Sequence, residues 1–160
     1  MNKKNSKDNI KVRGFFRVQI TEDGKGVVGD SEWQKNQVVN LGIQDYIVDW
    51  LVGDTASGKS ITHMALGSGS APASNGTNLA GEVVKRAAVS TSIVSSRTAQ
   101  FTAQFASSNS FVTNTQNISN IGLFNTSAAG TIFAGNTYAS SSCATNQNVN
   151  ATYQIRFTSA

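Results

Sequence analysis

The sequence predicts a mainly β protein, an antiparallel β-sandwich or jelly roll with one short helix at about residues 41–52. Three observations carry this. Val149, Ala151, Tyr153, Ile155 and Phe157 alternate with Asn150, Thr152, Gln154 and Arg156, the two-residue period of a half-buried antiparallel strand. Short apolar runs recur along the chain between clusters of Gly, Asn, Asp and Ser, as in all-β domains. Charged residues make up only 14% of the 160 residues, and Ser, Thr, Asn, Ala and Gly take their place. The length suits one domain with one core. Residues 10–160 are expected to form it, preceded by a flexible basic arm over residues 1–9.

In chain order, Ile10–Thr21 reads as a strand, because Val18 and Ile20 alternate with Arg17 and Gln19. The Glu22–Gly26 cluster is a turn, with a return through Val27, Val28 and then Glu32–Asn40. Leu41–Val52 is the one helix candidate: Ile43, Tyr46, Ile47, Trp50 and Leu51 share a face, with Asp45 and Asp49 on the other. Asn40 suits its N-cap and Gly53 its left-handed end. Tyr46 and Trp50 are therefore expected to face the core. Ile61–Leu66 is a short strand and Gly67–Gly76 a loop with the single proline, Pro72. Glu82–Ser95 and Thr98–Ala106 read as strands, with Ser107–Ser110 as a hairpin turn. Gln116–Asn125 and Thr131–Tyr138 form another pair around Thr126–Gly130, and Asn148–Thr158 is the last strand.

Charge and targeting signals narrow the function classes. The net charge is +4, and Lys3, Lys4, Lys7, Lys11, Arg13 and Arg17 crowd the first 17 residues. Such a cluster attracts acidic surfaces by charge alone, but the remainder of the chain is too weakly basic to predict a nucleic-acid partner. The polar start MNKKNSKDN is followed by no apolar signal region, and no apolar run approaches the length of a membrane span. Cys143 is the only cysteine, which excludes an intrachain disulfide.

One motif suggests an enzyme. Gly53-Asp54-Thr55-Ala56-Ser57-Gly58-Lys59-Ser60 fits the phosphate-binding pattern G-x-x-x-x-G-K-[ST]. That loop needs a buried strand before it and a helix after it, so that backbone N–H groups wrap the phosphates. Here a helical pattern precedes, and Ile61–Leu66 reaches Gly67 before a helix could complete two turns. No Asp or Glu follows Glu82, which leaves no downstream carboxylate for the Mg²⁺ side. Gly53, Gly58, Lys59 and Ser60 are therefore a chance match in an ordinary connection. The same scarcity of acids weakens acid–base catalysis. His63 is the only histidine and lies in a strand-like run, and Cys143 has no basic neighbour to depress its pKa. The expectation is a protein that is not an enzyme and carries no cofactor, metal site or small-molecule substrate.

A further set of segments occurs in order. Asn36-x-Val38-x-Asn40-x-Gly42 is followed by Met64-Ala65-Leu66-Gly67-Ser68-Gly69, Ala71-Pro72-Ala73, Thr77-x-Leu79 and Glu82 with Lys85-Arg86. Then come Phe101-x-Ala103-x-Phe105, Asn120-Ile121-Gly122-Leu123-Phe124-Asn125 and Gly130-Thr131-Ile132-Phe133-Ala134. This succession, over residues 33–135, resembles a group of small virion structural proteins of tailed bacteriophages. The group often carries an acid just before its GLF strand, where this chain has Ser119 and Asn120.

The resemblance implies a non-enzymatic virion component, made in the host cytoplasm and assembling in many copies. A capsid-decorating (cement) or head/tail accessory role is preferred over a tail-fibre or tail-tube component, because the chain has no repeat of a fibre shaft. A host-glycan-binding module is the other alternative. The partners implied are copies of itself and the major capsid or tail proteins. Assembly contacts are expected at Lys11, Arg13, Phe15, Phe16 and Arg17, which could add as a strand to a neighbour. Gly67, Gly69 and Pro72 in the central loop are expected to make others.

Overall fold

The computed structural model describes residues 10–54, 56–83 and 85–159; the basic arm expected over residues 1–9 lies outside them. Ten antiparallel strands dominate, with one short helical segment. They are β1 (Ile10–Glu22), β2 (Gly26–Asp30), β3 (Gln34–Val38), β4 (His63–Gly67), β5 (Ala87–Ala88), β6 (Ser90–Ser95), β7 (Thr98–Phe105), β8 (Gln116–Phe124), β9 (Ile132–Cys143) and β10 (Asn148–Ser159). All belong to one sheet, ordered β5-β4-β8-β9-β3-β1-β10-β7-β6, with β2 paired to β1.

The sheet bends into two layers at β3. Gln34, Lys35 and Asn36 pair with β1, while Gln37 and Val38 pair with β9. One layer holds β6, β7, β10 and β1, the other β9, β8, β4 and β5. The expected sandwich is thus a single sheet folded over, and it is nearly closed. The chain passes from β5 at one end of the sheet to β6 at the other through Val89 alone, and the Val89 N–H donates to the Thr62 carbonyl at 3.0 Å.

Both layers send side chains into one core. Phe16, Val18 and Ile20 of β1 and Val149, Ala151, Tyr153 and Ile155 of β10 meet Met64, Leu66, Ile118, Ile121, Leu123 and Phe133 from the other layer. The two-residue period read in Asn148–Thr158 is the burial pattern of β10. β10 pairs with β1 from Asn148 to Ser159 on one side and with β7 on the other, which places it inside the sheet. Phe16 stacks on Tyr153 with ring centroids 5.8 Å apart.

Three expectations are revised. Ser107–Asn109 is a 3₁₀ turn ending in left-handed Ser110, and it carries the chain between layers instead of closing a hairpin. The Glu82–Ser95 strand is two short strands, β5 and β6, in different layers. The helical segment starts at Asn40 without a side-chain cap, and Gln44–Val48 in its middle is a π-helical turn. The wider turn rotates the residues after it relative to an α-helical face. Tyr46 and Ile47 pack on the core, but Trp50 is 47% and Leu51 80% exposed, against the expectation that Trp50 is buried. Gly53 ends the segment with φ +76°, as a left-handed C-terminal glycine does.

The helical segment is docked through Gly42. The Ile43 N–H donates to the Val39 carbonyl, the Val39 N–H to the Phe133 carbonyl, and a Cβ on Gly42 would overlap that same Phe133 carbonyl. Gly42→Ala is expected to destabilise the protein by about 1–3 kcal/mol, the range for overpacking a tight site. Urea unfolding measures it; an unchanged midpoint would show that the segment can shift freely.

Candidate functional site

Gly53–Ser60 lies between the helical segment and an extended run into β4, so no helix N-terminus faces it. The Asp54 carboxylate accepts from the Ala56 and Ser57 N–H groups at 3.2 and 3.0 Å. The Gly58 N–H donates to the Asp54 carbonyl and the Lys59 N–H to the Asp45 carbonyl, both at 2.8 Å. The Ala56, Ser57, Gly58 and Lys59 N–H groups, which a phosphate would need, are therefore already bonded to the loop's own Asp54 and to Asp45. The Lys59 ammonium is ion-paired with Asp45 and donates to the Thr131 hydroxyl at 2.9 Å. The Trp50 indole N–H donates to the Lys59 carbonyl at 3.1 Å. Lys59 thus fastens the helical segment to the start of β9.

The expected assembly contacts fall in three environments. Lys11 and Arg13 are exposed and Phe15 is half-buried, with the Arg156 guanidinium 5.4 Å over its ring. Phe16 is fully buried and offers nothing to a neighbour. Ile10–Thr21 pair with β10 and Gly14–Phe16 also with β3, so β1 is built into its own sheet, with Lys11 and Arg13 paired on the β10 side. Arg17 is turned to Asp30, with Nε 3.0 and 3.2 Å from the two carboxylate oxygens.

The central loop is likewise tied down. Gly67 and Pro72 are buried, and Gly69 is half-buried. The Ser68 and Gly69 N–H groups donate to the Gly81 and Ala80 carbonyls at 3.0 Å, and the Asn40 N–H to the Ser74 carbonyl at 2.7 Å. Asn120 is fully buried and donates to the Ser70 and Ala80 carbonyls at 3.1 and 2.8 Å. A carboxylate could make neither bond, so an amide at this position suits the loop better than the acid of the phage group. The loop expected to reach out is folded against its own domain.

Arg86, named in the sequence only as part of the Glu82 with Lys85-Arg86 segment, is a deeply enclosed cation. It meets Glu82 with two bonds of 2.6 and 3.0 Å and lies 3.5 Å over the Phe124 ring. It also donates to the Thr126 and Ala129 carbonyls at 3.0 and 2.6 Å. Its side chain is 4% exposed, so Glu82 and Arg86 clamp the β8–β9 turn and face no ligand. The four-residue spacing of Glu82 and Arg86 was the available signal.

One of the open grooves is mainly apolar. A groove of about 360 Å³ runs between the helical segment and the inner face of β7 and β10, lined by Tyr46, Ile47, Trp50, Phe101, Ile155 and Phe157. Tyr46 donates to the Thr131 carbonyl, and burial, then the Asp45 carboxylate, push its phenol above the usual tyrosine range. Val48, Leu51 and Val52, in the same helical segment as Trp50, and Ile93 and Val94 of β6 are exposed. His63 lies apart on β4 with its Nδ1 2.8 Å from the Thr62 hydroxyl, and burial, then Arg86, disfavour its imidazolium. Cys143 is buried, and that burial pushes its thiol up to about 11. Among the described residues, no cluster of three or more His, Cys, Asp or Glu side chains is placed to hold a metal, and no helix is long and apolar enough to cross a membrane.

No family model, curated protein or solved structure matches the chain.

Two substitutions test these assignments. Lys59→Ala is expected to cost about 1 kcal/mol, the upper end for an ion pair within reach of solvent; thermal unfolding would refute the fastening role if the midpoint stayed put. Hydrogen bonds from Arg17, then from the Glu32 N–H and Gln19, hold the Asp30 carboxyl well below the usual carboxylate range. Its stabilisation is therefore present above the unfolded value near 3.8 and fades as pH falls through the lower folded value. Asp30→Asn should be less stable than wild type at neutral pH, with a gap that narrows below pH 4. Urea midpoints measured at both pH values decide it, and a constant gap contradicts the account.

Proposed function

We propose that the protein is a non-enzymatic structural component of a tailed-phage virion, working by contact with other proteins. The observation that carries this reading is an apolar groove with exposed Trp50 in its wall, together with exposed Val48, Leu51 and Val52 of the same helical segment. Apolar side chains gathered on one surface mark an interaction site, and the groove's one ammonium, Lys59, is already committed to Asp45 and Thr131. Catalysis would need a positioned acid, base or nucleophile there.

The ordered segments between residues 33 and 135 are the reason for choosing a virion over any other assembly. Several of them build the domain: Leu66, Leu79, Leu123 and Phe124 are buried and Glu82 pairs with Arg86. Within the virion, the nearly closed single domain suits a capsid-decorating or head/tail accessory protein, docked on the major capsid or tail protein and on copies of itself. Half-exposed Trp33 and Trp50 favour a second reading as a host-glycan module, since ring faces can stack on sugars.

Electron microscopy of phage particles labelled on this chain tests the main reading, with regular decoration of the head or head–tail junction as the expected image. Absence from purified particles would overturn it. Glycan retention lost in Trp50→Ala would favour the second reading. ATP affinity lost in Lys59→Ala would replace both with an enzyme.

A further inference from the structure

β6 is the free edge at one end of the sheet: it pairs with β7 and with no other strand. All six of its residues are exposed. Ile93 stands opposite Ala99, which stands opposite Ile155, and residues so paired share a sheet face. Ala99 and Ile155 line the apolar groove, so Ile93 lies on the core side of the sheet, yet it is 83% exposed. Val94, at the register shift, is 55% exposed. The inner face of this layer therefore extends beyond what the second layer covers.

Natural edge strands are normally guarded against pairing by Lys, Pro or an interrupting bulge. The ten residues Ala87–Ser96 contain no charge and no proline. The one register shift falls after Ile93, toward the end of the strand. An antiparallel strand that pairs with its own copy sets residue i against j and j against i, and only the residue on the two-fold axis meets its own mate; near the axis a charge lies close to its copy and is repelled. A neutral Ser-Thr-Ser-Ile-Val-Ser strand carries no such repulsion, and it offers unpaired backbone donors and acceptors beside the apolar Ile93 side chain.

We infer that β6 pairs antiparallel with β6 of a second copy, extending the sheet across a two-fold axis at Ile93, so that the two Ile93 side chains face and cover each other. The inference rests on the reading of the chain as an assembling protein and names the surface it uses. A six-residue edge is smaller than the interface of a stable isolated dimer. The pairing is accordingly weak for two free molecules and strengthens when other contacts hold many copies together.

Sedimentation velocity over a concentration series tests it on wild type, Ile93→Lys, Ile93→Glu, an equimolar mixture of the two variants, and Leu51→Lys. Wild type and Leu51→Lys should associate reversibly. Each Ile93 variant should associate at least tenfold more weakly, with association restored in the mixture because opposite charges then meet. Circular dichroism checks that all remain folded, and Val94→Lys, next along the same exposed edge, serves if an Ile93 variant does not. Wild type that stays monomeric throughout, or Ile93→Lys that associates like wild type, overturns the inference. If Leu51→Lys alone loses association, the helical rim is the interface and β6 is not. Incorporation of Ile93→Lys into particles with unchanged copy number would sink edge pairing and leave the virion reading intact. Absence of wild type from particles would sink the virion reading, with the solution data still judging the edge.

Discussion

The two layers are joined by hydrogen bonds through only five residues, and the fold depends on how β3 is held. Asn36 sits at the bend. Its amide donates to the Tyr153 hydroxyl, and Tyr153 is fully buried against Phe16 at the centre of the core. Directly opposite Asn36 on β1 is Gly14, and a Cβ there would overlap the Asn36 side chain. Gly14, Asn36 and Tyr153 thus form one interlock across three strands. It has a cost, because the Asn36 Oδ1 is buried without a partner. Burial, opposed by the Asn36 hydrogen bond, pushes the Tyr153 phenol above the usual tyrosine range, so it stays a neutral hydroxyl.

The scarcity of charge has a structural counterpart. Of the chain's nine acids, Glu22, Asp30, Asp45 and Glu82 each face a cation within the domain, and Asp54 caps its own loop. Carboxylates here fix turns and fasten segments. The surface left to a neighbour is made of hydroxyls, amides, exposed apolar side chains and exposed cations such as Lys11, Arg13, Lys35, Lys85, Arg97 and Arg156. Contact with such a surface combines shape, backbone pairing and apolar burial with a salt-dependent attraction to acidic partners.

Strand existence was legible because a two-residue period records which face is buried, and β1, β7 and β10 carry it. Partner choice was not, since alternation says nothing about which strand lies alongside. So Phe15 and Phe16 looked equivalent as contacts, although only the pleat decides that Phe16 points inward and Phe15 does not. The helical face was read on a 3.6-residue period, and the π turn at Gln44–Val48 broke that period just before Trp50. The Gly67–Gly76 segment looked like a free loop from composition. Its anchor, Asn120, lies 40 residues beyond Ala80, and a single buried amide leaves no local pattern. The groove and the β6 edge were hidden for the same reason: both arise from where the layers stop overlapping.

The order of the sheet also dictates an order of events. β10 is the last strand in chain order, yet it lies between β1 and β7. Its pairing with β1 joins residues more than a hundred positions apart, so the first strand waits for the last. On a ribosome, β1 and β7 would both emerge with open edges and a half-built core. The hairpin β8–β9 and its neighbour β4 can form earlier from closer segments, leaving the other layer to close around β10 only once that strand is released. Synthesis therefore passes through a stage with far more unpaired edge than the finished molecule shows, and that is the stage at which copies made side by side could pair wrongly.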